Sequence, residues 1–154
     1  MKKGYLAVAL LCVGLVPFTL QPDESRFPFA DAAIALDTPA DHLSMADIKV
    51  FSDRAVINRS GLVFARVQDT HSMEPTLNKN TVSLELPPAS IDDINAGDII
   101  SYRRGGIVII HRVIAVGEDA QGWYATTKGD NNQEPDTDPV RFETISGVVV
   151  GILY

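Results

Sequence analysis

Asp98-Ile99-Ile100-Ser101-Tyr102-Arg103-Arg104-Gly105-Gly106-Ile107-Val108-Ile109-Ile110-His111-Arg112-Val113-Ile114-Ala115-Val116 is the stretch that decides the fold. Two runs rich in isoleucine and valine flank Arg104-Gly105-Gly106. β-branched side chains lose rotamer freedom in a helix and pack well on a pleated surface. The glycine pair supplies the turn between them. The reading is two strands, at 98–102 and 107–116. Working outward, the same pattern recurs at 48–51, 55–58, 62–68, 81–86, 123–127 and 145–153. Turn signals lie between these runs, at Asn58-Arg59-Ser60-Gly61, Pro87-Pro88, Asn95-Ala96-Gly97 and Gln121-Gly122. So many short strands at this spacing predict a mostly β domain of short antiparallel strands, not alternating β/α units.

The chain has 154 residues, enough for one domain and a short appendage. Apolar residues make up 45% and charged residues 21%, which excludes wholesale disorder. Net charge is −7, and residues 21–154 carry 11 cationic against 20 anionic side chains. An acidic body without a basic cluster excludes nucleic acid as the expected partner. Cys12 is the single cysteine, so there is neither a disulfide framework nor a cysteine-built metal site. His42, His71 and His111 are scattered and form no ligand set, and no metal or cofactor is expected.

Residues 4–20 carry no charge and follow Lys2-Lys3. As a helix this run would be about 25 Å long, the short limit for a bilayer core of about 30 Å. The expectation is an N-terminal membrane anchor at 1–20, a transmembrane helix with its lysines cytoplasmic and the acidic body outside. A cleaved signal peptide is the competing reading, although the nearest Ala-x-Ala, Ala30-Asp31-Ala32, lies late for a cleavage site. Residues 21–46, with Pro22, Pro28, Pro39 and five acids, read as an acidic linker with a helical turn around 32–36. The β domain is then 47–154.

Three stretches carry chemistry: Asp69-Thr70-His71-Ser72-Met73-Glu74-Pro75, the polar pair His111-Arg112 inside an apolar strand, and Thr127-Lys128-Gly129-Asp130-Asn131-Asn132 followed by Asp136 and Asp138. A serine hydroxyl is a weak nucleophile until a base takes its proton. Imidazole titrates near neutrality and can do so. A carboxylate fixes the tautomer of the ring. Taken singly, His111 also reads as a core histidine satisfied by a carbonyl, and 128–132 as a surface turn.

Taken in order, Ser72-Met73-Glu74-Pro75, Gly97-Asp98-Ile99-Ile100, His111-Arg112-Val113 and Lys128-Gly129-Asp130-Asn131-Asn132 with Asp136 resemble signal peptidase I. The likeness is to its endoplasmic-reticulum and archaeal branch, since the bacterial branch places a lysine where His111 stands. It covers roughly residues 62–154. The resemblance implies a membrane-bound serine endopeptidase that removes signal peptides from exported preproteins. It implies Ser72 as nucleophile, His111 as general base and Asp136 as the orienting acid. Asp130 joins this catalytic set as a second acid that shapes the turn and its local hydrogen bonds. Thr70 and the Ser72 N–H are the oxyanion donors. His71 reads as a bystander pointing away along an extended segment.

An extended substrate would add to the strand edge at 62–68, with Val63, Ala65, Val67 and Met73 as its contacts and shallow pockets for small side chains. Met73 and Pro75 are expected to shape the turn and its packing more than to touch substrate. The implied partners are signal peptides and membrane lipid. Two other classes fit less of the chain. One is an inert signal-peptidase-like binding module in a membrane complex. The other is a self-cleaving repressor-type domain, which would need a lysine base and a DNA-binding helix-turn-helix.

Overall fold

The structure is a computed structural model that describes residues 37–154. The expected membrane helix at 4–20, the first part of the acidic linker and the turn expected at 32–36 lie outside the described residues. Among the described residues no helix is long and apolar enough to cross a membrane.

The expectation of a mostly β domain holds, with eight strands close to the expected runs. A small antiparallel hairpin pairs β1 (Ile48–Val50) with β2 (Ala55–Ile57). The main sheet has six strands: β3 (Val63–Arg66), β4 (Val82–Leu86), β5 (Ile99–Arg104), β6 (Ile107–Asp119), β7 (Gly122–Lys128) and β8 (Ile145–Leu153). Their order is β3-β4-β8-β5-β6-β7, and every neighbouring pair is antiparallel. The last strand is thus inserted between β4 and β5, a long-range pairing that no local pattern announces.

Alternation along the central strands makes two cores. Ile100 and Val148 join Tyr102, Val113, Ala125 and Val140 in one cluster. Ile99 and Val149 join Met73 and Leu77 in the other. Consecutive residues of a strand face opposite sides, so β5 and β8 are covered on both faces and read as continuous apolar runs. One carboxylate sits inside this sheet. Glu85, 5% exposed, accepts hydrogen bonds from Ser83 Oγ (2.7 Å) and Ser101 Oγ (2.6 Å). A buried carboxylate needs such donors, and Gly147 leaves it room, since a Cβ there would lie 2.9 Å from Glu85 Oε2.

β6 is the longest strand and changes partner along its length. Ile107 to Arg112 pair with β5, whereas Arg112 to Asp119 pair with β7. The outer edge of residues 107–110 therefore has no strand beside it among the described residues. Among the described residues β3 pairs with β4 alone and offers a second open edge. His111 and Arg112 stand where β6 passes from one partner to the other.

The end of the expected linker is tied to the β unit. The Ala40 N–H and His42 Nε2 both meet Asp98 Oδ1, at 2.8 and 3.1 Å. A 3₁₀ turn at Met45–Asp47 follows, capped by Ser44, whose Oγ accepts the Ala46 N–H while Asp47 accepts the Ser44 N–H.

Candidate active site

The segment after β3 turns sharply into the nucleophile candidate. His71 has φ +60°, and a turn runs through residues 72–76. Ser72 Oγ lies 3.2 Å from His111 Nε2 and 3.1 Å from Thr70 Oγ1. On the other side of the ring, His111 Nδ1 is 2.7 Å from Asp136 Oδ2. The His111 and Asp136 side chains are 10% and 13% exposed. With Nδ1–H donating to the carboxylate, Nε2 is left as an acceptor aimed at the serine hydroxyl. Serine, imidazole and carboxylate thus form one continuous run of hydrogen bonds.

Asp136 is held from three sides. Its backbone N–H donates to the Thr127 carbonyl at 2.8 Å, so the 128–136 loop returns to the end of β7. Its Oδ2 accepts Thr127 Oγ1 at 2.6 Å and Tyr102 OH at 2.8 Å besides the His111 ring. Burial alone would raise this carboxyl, but hydrogen bonds from His111, Thr127 and Tyr102, and the charge His111 can carry, outweigh it and hold the carboxyl at about 2. Tyr102 responds in the opposite sense. Burial pushes its hydroxyl up to about 12, so at neutral pH it stays a proton donor to Asp136. Tyr102 and Thr127 were not expected in the site. Thr127 opens the third quoted stretch. Tyr102 gave no local sign, because its place depends on which strands pair with β5.

The Lys128-Gly129-Asp130-Asn131-Asn132 turn clamps the Ser72 loop from outside. The Asn131 N–H donates to the Ser72 carbonyl at 2.9 Å, and Asn131 Nδ2 donates to the His71 carbonyl at 3.1 Å. Lys128 Nζ closes the turn on the Asn132 carbonyl at 2.8 Å. Gly129 is required by close approach, since a Cβ there would lie 2.5 Å from the Ser72 carbonyl oxygen.

Four expectations change. Asp130, placed with the catalytic set and as a cap for its own turn, meets neither His111 nor local N–H groups. Its carboxylate takes Arg112 Nε and Nη2, both at 2.7 Å, and Thr76 Oγ1 at 2.6 Å. Burial would raise its carboxyl, and the Arg112 and Thr76 hydrogen bonds hold it below the ordinary range instead. The planar guanidinium fork matches the Asp130 carboxylate with two of its N–H groups. Met73 is 2% exposed and packs with Leu77, Ile99 and Val149, while its Sδ accepts the Asp130 N–H at 3.4 Å. It contributes a patch of groove floor rather than an exposed substrate contact. Val63 does not reach the groove and is 50% exposed on β3. It stands two residues, about 7 Å, farther from Ser72 than Ala65. The His71 segment is not extended; its ring turns to Glu74, with Nδ1 2.9 Å from Oε1. The hydrogen bond and charge of Glu74 raise the imidazole above its ordinary range.

A groove of about 700 Å³ leads to Ser72 and His111. Ala65, Val67 and Met73 line one side and Val108 and Ile110 the other, with Thr70 beside the serine. Its lining includes residues of both open strand edges, Ala65 and Arg66 of β3 and Ile107 to Ile110 of β6. An extended peptide laid there would find backbone N–H and C=O groups along both sides and apolar walls for its side chains.

No protein-family model matches the chain. A stretch of 81 residues is 27% identical to signal peptidase I W of Bacillus subtilis (strain 168). The match takes in 52% of this chain and 43% of that protein, so the chain spans less than half the length of this curated relative. The likeness extends to a distant, partial relationship with signal peptidase I.

Proposed function

We propose that this protein is a serine endopeptidase of the signal-peptidase type that uses histidine as its base and removes signal peptides from exported preproteins. The observation that carries the reading is the run from Ser72 Oγ through His111 to Asp136, at 3.2 and 2.7 Å, placed at the polar end of an apolar groove. In the reaction His111 Nε2 takes the Ser72 proton as Oγ attacks the scissile carbonyl. Asp136 holds the ring in the required tautomer and stabilises the imidazolium. The Thr70 hydroxyl and the Ser72 N–H face the developing oxyanion. The imidazolium then protonates the leaving amine, and water, activated by the same imidazole, releases the acyl group from Ser72. Arg112 and Asp130 brace the loop and do not touch the reacting atoms.

The charge pattern supports a membrane setting in which residues 4–20 anchor the chain, Lys2 and Lys3 stay cytoplasmic and the β unit works outside. The substrate would enter as an extended segment between β3 and β6. The test is cleavage of a preprotein in membranes by the wild type and by Ser72→Ala. The expected result is processing by the first and none by the second. Equal processing by both would remove Ser72 from the chemistry.

A further inference from the structure

Asp98 has no exposed surface, and its carboxylate makes no hydrogen bond to Ser72, His111 or Asp136. Its carboxylate accepts the Ala40 N–H at 2.8 Å and meets His42 Nε2 at 3.1 Å on Oδ1, and it accepts the Asn95 N–H at 2.8 Å on Oδ2. Two of the three donors thus come from the segment that precedes the first strand. Gly97 completes a fitted seat. Its φ is +99°, and a Cβ there would lie 2.5 Å from the carbonyl oxygens of Asp37 and Thr38. The backbone at 37–38 occupies the space a side chain would fill, and a buried carboxylate without those donors is left short of partners.

The other side of the same residue pair faces the catalytic loop. The Gly97 carbonyl accepts Arg112 Nη1 at 2.7 Å, and the Val113 N–H donates to the Asp98 carbonyl at 2.8 Å. Arg112 places Nε and Nη2 on Asp130. The Asp130 and Asn131 amides in turn hold Met73 Sδ and the Ser72 carbonyl. His111 directly precedes Arg112 on β6. Docking of 37–42 and placement of Ser72 therefore share one side chain, Arg112.

We infer that His42 is a positioning residue that, through Asp98 and Arg112, couples docking of the segment before the domain to the placement of Ser72; this rests on the peptidase reading above. When the segment is seated, Gly97 is fixed, Arg112 Nη1 has its acceptor, and the Asn131 clamp on Ser72 is tight. When it leaves, Gly97 gains freedom and the clamp loosens. An event that pulls on residues before 37 would then reach the nucleophile without touching the groove.

The test uses the full chain and two variants, His42→Ala and His42→Gln. Glutamine places an amide nitrogen near the position of the imidazole Nε2 and restores a donor to Asp98. Two quantities are read: the rate at which a fluorophosphonate probe acylates Ser72, and hydrogen exchange of the Asn131 amide, which reports the clamp directly. His42→Ala should slow acylation by about 3- to 10-fold, the span that coupling through packed networks produces, and should speed Asn131 exchange. His42→Gln, which restores the donor together with most of the volume, should return both to within about twofold of wild type. Faster exchange confined to residues 37–47, with acylation and the Asn131 amide unchanged, would overturn the coupling. If wild-type Ser72 does not react with the probe at all, the peptidase reading fails, and the Asn131 amide alone decides the coupling.

Discussion

Asp130 and Asp136 lie six positions apart in one loop, carry the same side chain and are tied into opposite kinds of work. Asp130 faces a guanidinium fork and is neutralised by it. Asp136 faces an imidazole and two hydroxyls, none of which carries a fixed charge. Their partners, Arg112 and His111, are neighbours on β6, so strand alternation sends one toward each acid. The lesson is that donor chemistry, not residue type or spacing, separates a carboxylate locked to a cation from one that holds a titratable ring. A permanent cation fixes a carboxylate as structure. A titratable ring beside a serine leaves it to orient that ring and to stabilise the charge the ring takes up.

The sharpest way to break that contrast is Asp136→Asn. The amide puts an N–H₂ group among three donors and supports the wrong tautomer of His111. Turnover should fall by about 10³- to 10⁴-fold, the loss expected when a triad acid becomes an amide, while melting temperature moves less than for Asp130→Asn. Retention of turnover within about tenfold of wild type would mean that Asp136 does not orient the base.

Asp130→Asn comes next and should be read mainly in stability. It leaves the Arg112 guanidinium, whose side chain is 9% exposed, without its counter-charge. Breaking a buried pair from one side costs roughly 3 kcal/mol or more, or about 10 °C in Tm for a domain of this size. Turnover of the folded variant should drop by no more than about tenfold, as the clamp on Ser72 loosens. A dead but normally stable Asp130→Asn would reverse the two assignments.

The strands and the chemistry differ in how readable they were. Runs such as 107–116 declared β6 because isoleucine and valine are dense there, yet β6 continues to Asp119, where Gly117 and Glu118 hide it. Ser72, His111 and Asp136 could be named because each sits in a distinctive local pattern. Tyr102 and Thr127 could not, because their meeting at Asp136 depends on β5, β6 and β7 lying side by side. For the same reason Val63 was placed in the groove, and Asp130 was paired with its own turn rather than with Arg112 across the sheet. Local propensity reveals elements; register and strand order decide which side chains meet.

Tyr102→Phe sharpens the contrast by removing one uncharged donor from Asp136. The Asp136 carboxyl sits at about 2 in the fold, below its ordinary 3.8. A depressed carboxyl stabilises the fold above the unfolded value, and that stability is lost as pH falls through the folded value. The window is therefore about pH 4 down to 2. Without the Tyr102 hydroxyl the folded carboxyl moves up toward its ordinary value, so the fall in Tm across that window should become shallower. Turnover at neutral pH should decrease by about 3- to 10-fold, since two donors remain. Parallel acid limbs for wild type and variant would show that Tyr102 does not hold the charge on Asp136.

The smallest effect is expected at His71, the other histidine beside the serine. It is adjacent in sequence, so it is the natural rival to His111 as base. Its geometry argues against that role on three counts. The ring turns to Glu74 at 2.9 Å, with no hydrogen bond to Ser72 Oγ. The neighbouring acids, Glu74 first and then Asp69, raise its pKa, which favours the protonated ring over the free base. Its link to the site is the backbone carbonyl that accepts Asn131 Nδ2, and this survives any side-chain change. Asparagine tolerates the left-handed backbone that His71 adopts. His71→Asn should therefore keep turnover within about twofold of wild type, as exposed substitutions away from reacting atoms do, and its pH–rate profile should overlay the wild-type curve. A loss beyond about tenfold with unchanged Tm, or a shifted acid limb, would move the base from β6 to the turn and dissolve the contrast between the two acids.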